Sequence, residues 1–158
     1  MKGHSMKSLV FGILLLSTTV AFSQQEGYLE LFRRDLKTDK VALMTAAMSL
    51  SDSASNKFWP IYREYDHELT KLGDNTINNI KDYAANYESM SDKKADELMG
   101  KVFKNRAARL DLLKKYHKQV GKALGGRVAA RFIQAEMEIL TLIDAQIMDA
   151  LPLVKGKK

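Results

Sequence analysis

Apolar residues recur at helical spacing along four stretches of the chain, and capping or breaking residues separate them. The first stretch runs from about Tyr28 to Met48, with Leu29, Phe32, Leu36, Leu43 and Ala46 on one side. Lys37-Thr38-Asp39-Lys40 interrupts it, and its middle is expected to bend or fray. Ser51 is placed to cap the second stretch, with Asp52 at the positive end of the helix dipole. Phe58, Tyr62, Tyr65, Leu69, Leu72 and Thr76 then alternate spacings of four and three, a seam suited to packing along another helix. Pro60 lies inside this stretch and predicts a kink or a restart, because proline lacks an N–H and clashes with the preceding turn. Gly73 is a second soft point.

Ser91 caps the third stretch in the same manner, followed by Asp92. Its apolar side reads Leu98-Met99, Val102-Phe103, Leu110, Leu113, Tyr116, Val120 and Leu124, and Gly125-Gly126 ends it. The fourth runs from about Arg127 to Ala150, apolar at Val128, Phe132-Ile133, Met137, Ile139-Leu140, Ile143 and Ile147-Met148, with Pro152 as terminator. The second and third helices would each be on the order of 50 Å long. Joined by the short turn at Glu88-Ser89-Met90, they form an antiparallel hairpin. The expected fold is all-α: four helices built on that hairpin, elongated or curved, and completing its core by dimerising.

Composition agrees, since 46% of the 158 residues are apolar, enough for one real core. The N-terminus has the three parts of a secretory leader. Lys2 and Lys7 flank a short apolar run, Leu9 to Val20, and Ala21-Phe22-Ser23 precedes a cut before Gln24. The run is shorter than the roughly 20 residues of a membrane span. The expected organisation is a cleaved leader over 1–23, one helical domain over 24–154 and a basic tail over 155–158. Cleavage leaves 23 basic against 19 acidic residues, a net charge of +4. Cysteine is absent, which excludes a lipoprotein anchor, disulfides, thiolate metal sites and thiol catalysis.

Little in the chain speaks for chemistry. His67 sits in Tyr65-Asp66-His67-Glu68 and His117 in Lys114-Lys115-Tyr116-His117-Lys118, neither with a second histidine nearby. Glu64 and His67 could make half a metal site, which His117 would join only if the register of the hairpin allows. No metal or other cofactor is expected. The methionines are spread singly along apolar stripes, as core packing wants. Arg131, Gln134, Glu136 and Glu138 interrupt the apolar last helix, and those that face inward need partners. No enzyme is expected.

Charge is more informative. Residues 101–131 hold ten basic side chains and one acid, Asp111. Lys101, Lys104, Lys115, Lys118 and Lys122 fall along one helical stripe. Two readings stand beside each other: a solvated face balanced by Glu64, Glu68, Asp74 and Asp82 of the neighbouring helix, or a positive surface for acidic partners. Nucleic acid is a poor partner for an exported protein, and no aromatics interleave the stripe to stack bases.

Leu50-Ser51-Asp52-Ser53-Ala54 with Phe58-Trp59-Pro60-Ile61-Tyr62 resembles the first motif region of the Spy/CpxP-like, LTxxQ-type periplasmic proteins. Met90-Ser91-Asp92-Lys93-Lys94 stands where the second motif would fall. Asp82 to Tyr87, Ala130 to Glu136 and Leu151 to Val154 resemble one subgroup of that family. Ser51 and Ser91 replace the motif's threonine, and Ala54 and Lys94 stand where it has glutamine. The resemblance implies a periplasmic, hairpin-based, often dimeric protein. It implies ATP-independent, chaperone-like holding of unfolded or acidic envelope proteins. The alternative it offers is a regulatory or sensor partner of an envelope-stress or extracytoplasmic sigma-factor system, in one version metal-responsive. The basic stripe and the aromatics Phe58, Trp59, Tyr62 and Tyr65 are the candidate partner surface, which could also touch a membrane surface without spanning it.

Overall fold

The computed structural model describes residues 40–156. The leader over 1–23, the stretch from Tyr28 to residue 39 and the end of the basic tail lie outside the described residues. The chain divides into two compact units, Met1–Ala42 and Leu43–Lys158. Of the first, only residues 40–42 are described, and they are helical.

The protein is all-α, with four helices and no strand among the described residues. Helix α1 covers residues 40–48 and ends where Ser49 turns left-handed, at φ 44°. The Ser49 hydroxyl steadies that turn by donating to the Ala46 carbonyl at 2.8 Å. Helix α2 is Asp52–Asn86, and Ser51 caps it by accepting from the Ala54 N–H. A single 3₁₀ turn, Tyr87–Ser89, leads to α3, Asp92–Leu124, capped by Ser91 accepting from the Lys94 N–H. Gly125, at φ 91°, separates α3 from α4, Gly126–Ala150. That backbone conformation excludes a side chain, which explains the glycine there.

Helix α2 does not restart at Pro60 but runs through it. The proline ring is exposed, and so is Asn56, whose carbonyl loses its donor and can take water instead. Phe58, Tyr62 and Tyr65, buried on either side of the proline, hold the segment in place.

Contacts between α2 and α3 pair falling numbers with rising ones. Glu68 meets Lys115, Thr76 meets Asn105, and Asp82 meets Lys101, the sense of an antiparallel pair. Helix α4 packs back along α3, where Arg109 grips Asp144 through both guanidinium nitrogens, one at 2.9 Å. The main core sits where α2, α3 and α4 come together around Tyr65, Tyr116 and Phe132. Rings join α2 to α4 across it, Phe58 to Phe132 at 5.7 Å and Tyr65 to Phe132 at 5.4 Å between centroids. Met44 and Met48 complete this core from α1. Beyond Leu69, the pairing of α2 with α3 turns polar. Asn105 donates to Leu72 O and Thr76 Oγ1, and Asn79 donates to Leu98 O.

Candidate binding surface

The nine candidate side chains do not form one surface. Phe58 and Tyr65 are fully buried and Tyr62 is 2% exposed, so these three belong to the core and not to a partner surface. They lie on the side of α2 that meets α3 and α4, where large rings span a gap that shorter side chains would leave open. Trp59 is half-buried and packs edge-on against Phe58 and Tyr62.

The basic stripe splits in two. Lys101 bonds Asp82 at 2.9 Å and Glu97 at 2.7 Å, and Lys115 bonds Glu68 at 2.6 Å while lying over the Tyr116 ring. These lysines balance acids, two of which lie on α2. Hydrogen bonds from Lys115 and then Tyr116 hold the Glu68 carboxyl below its usual range. Those from Lys94 and Lys101 do the same for Asp82. Lys104, Lys118 and Lys122 are exposed and form no ion pair among the described residues. They are the cations of the stripe that remain available to a partner.

The apolar component lies elsewhere than the sequence placed it. Met99, Phe103 and Leu110 were expected in the buried seam of α3, yet they are 45%, 65% and 52% exposed. The buried seam is Leu98, Leu112, Leu113, Tyr116 and Val120. At about 100° per residue, Met99, Phe103 and Leu110 fall within roughly 40° of one another, about 110° round the helix from the middle of that seam. Arg106, Ala107, Lys114 and Lys118 share this outward arc and are exposed. Met99, Met137 and Met148 are exposed as well, so core packing accounts for Met44 and Met48 but not for them.

On another side of α3, a groove of about 590 Å³ lies between α2 and α3. Asn75, Asn78, Asn79 and Asn105 line it with Asp82, Lys101 and Lys104, and Leu72 and Ala108 form its apolar wall. The Asn79 amide is oriented by its bond to the Leu98 carbonyl at 3.2 Å, and its Oδ1 is buried without a hydrogen-bond partner among the described residues.

One buried polar contact escaped the sequence reading in its particulars. Glu136 is 0% exposed and accepts from Tyr65 Oη at 2.8 Å. Burial first, and then the charge of Glu136, push the Tyr65 hydroxyl well above the ordinary tyrosine range. Tyr62 is raised for the same reasons. Of the other polar residues of α4, Arg131 donates to the Ala47 carbonyl at 2.7 Å and ties α4 to α1, while Gln134 and Glu138 are exposed.

His67 and His117 are both exposed. Among the described residues, no group of three or more histidine, cysteine, aspartate or glutamate side chains could hold a metal ion. None of the described helices is long and apolar enough to cross a membrane. No protein-family model matches the chain, and no curated protein or solved structure matches it either.

Proposed function

We propose that the protein is a periplasmic, ATP-independent holder of partly unfolded or acidic polypeptides. The observation that carries this reading is the outer arc of α3, where Met99, Phe103 and Leu110 stand exposed among Arg106, Lys114 and Lys118. Three large apolar side chains in water along one arc are a contact surface in want of a partner. The cations around them attract acidic chains over about a Debye length, after which apolar contacts of adjustable geometry retain them. Methionine and leucine suit loose, varied contacts better than rigid rings do. The secretory leader and the Spy/CpxP-like motifs support the compartment and the kind of activity.

The test is light scattering from a reductant-unfolded client, with and without the protein, at two salt concentrations. Suppression at near-equimolar ratio that weakens with salt is expected. Aggregation that proceeds unchanged at excess protein contradicts the reading, and one specific partner captured in a pull-down would then favour the regulatory role.

A further inference from the structure

We propose that residues 152–155 form a releasable strap over a site at the end of α2 that takes the backbone of an extended polypeptide segment. The site stands on its own contacts, and its use rests on the polypeptide-holding reading. Pro152 stops α4, and Leu151 ahead of it turns extended, at φ −105° and ψ 122°. The chain then leaves the helix axis and crosses, without regular structure, to the end of α2. Tyr83 in the last turn of α2 and Tyr87 just beyond it stand together there, their ring centroids 5.6 Å apart. The Tyr83 hydroxyl donates to the Pro152 carbonyl at 2.7 Å, and the Tyr87 hydroxyl donates to the Leu153 carbonyl at 3.2 Å. Lys155 closes the contact by donating to Glu88, with its Nζ 5.0 Å over the Tyr87 ring.

These contacts read backbone more than sequence. Leu153 is 89% exposed and Val154 47%, so the side chains between the anchors take little part. Every polypeptide carries carbonyls, and two hydroxyl donors suit any extended segment. Glu88 adds one preference, a cation two residues beyond the second carbonyl. The chain's own tail is the ligand seen in place, and its hold is light. The ion pair is 50% exposed on one side and 81% on the other, so it is weak and screened by salt. No strap side chain enters the core cluster, which extends no further along the chain than Ile143. A tethered segment competes as if present at roughly millimolar concentration. A client already held on the outer arc of α3 is tethered too, and competes on similar terms. Asp82 pairs with Lys101, so the strap lies at the same end of the hairpin as Met99.

The test is electron paramagnetic resonance on the full chain with a spin label at Gly156→Cys. The chain has no cysteine of its own, and a Cβ at Gly156 meets open space. Broad lines from a held label are expected. Tyr83→Phe with Tyr87→Phe keeps both rings and removes both donors, so the released fraction rises about ten-fold or more, the change expected for two hydrogen bonds. Circular dichroism confirms that this variant keeps its helices. A capped hexapeptide copying residues 151–156, added at about millimolar concentration, sharpens the lines of the labelled protein. Its Lys155→Glu counterpart sharpens them much less.

Narrow lines from the outset overturn the proposal, and so do broad lines that neither the tyrosine changes nor the peptide sharpens. Equal release by the two peptides counts against it as well, because it denies the site its cation. An unfolded client in place of the peptide separates this inference from the broader reading. Release of the strap by the client supports both. If the peptide releases the strap while client aggregation proceeds unchanged, the site stands and the holding reading falls. If client holding depends on Phe103 and Leu110 while neither peptide nor client moves the strap, the strap inference falls alone.

Discussion

Tyr65→Phe removes one oxygen from the centre of the fold and nothing else. Tyr65 is fully buried, and its ring packs edge-on against Tyr116 at 5.3 Å and Phe132 at 5.4 Å, contacts that phenylalanine keeps. The hydroxyl donates to Glu136 Oε1 at 2.8 Å, and Glu136 is 0% exposed. Loss of that donor takes one hydrogen bond from a buried carboxyl where water does not replace it, at a cost of about 1–3 kcal/mol. Against a typical total stability of about 5–15 kcal/mol this is a large fraction. Urea denaturation followed by circular dichroism measures it. With a slope of roughly 1–3 kcal/mol per molar, the midpoint falls by about 1 M while the slope stays constant. Adding Glu136→Leu removes the carboxyl that has lost this donor, so the double variant should lose less than the sum of the two single changes. A Tyr65→Phe cost below about 0.5 kcal/mol, or strictly additive losses, would refute the view that this pair matters to the core.

Three further outcomes are expected. Gly125→Ala forces a side chain onto a backbone at φ 91° and lowers stability by about 1–3 kcal/mol, read as a fall in urea midpoint. Pro60→Ala restores an N–H and relieves a clash at an exposed helix position, so stability rises by about 1 kcal/mol or more in the same assay; a fall would mean that the α2 aromatics depend on the proline. Lysines hold Glu68, Asp82 and Glu97 below their usual range, so the folded state gains from them above the unfolded carboxyl values, about pH 4. That gain disappears as pH falls through the lower folded values. Lys94→Met with Lys101→Met is therefore less stable than the parent at neutral pH and indistinguishable from it in strong acid; a difference that persists in acid would mean the lysines act otherwise.

Local signals placed the helices well and their surroundings poorly. Ser51, Ser91 and Gly125 act on the backbone within a few residues, and each marks a helix end within one residue of where it lies. Which neighbour covers a helix face is a tertiary matter. The period of α2 groups Phe58, Tyr62 and Tyr65 together, but only the arrival of Tyr116 and Phe132 makes that group a core. In α3 the apolar residues spread over about half of the circumference, and a single list merges Phe103 with Tyr116 although one is exposed and the other buried. Pro60 predicted a break because its local cost is real, yet packing on either side outweighs it. The Tyr65–Glu136 contact joins residues 71 apart. The sequence showed that an inward-facing polar residue of α4 would need a partner, not which one it would find.

Site-specific photocrosslinking to an unfolded client tests the central claim most directly. A photoreactive residue at Phe103, on the outer arc of α3, should crosslink the client strongly at low salt and weakly at high salt. The same residue at His67, exposed on α2, serves as the reference. Crosslinking at Phe103 that exceeds the reference many-fold is the predicted result. Equal yields at both positions, or none at Phe103, would contradict the assignment of polypeptide binding to this face.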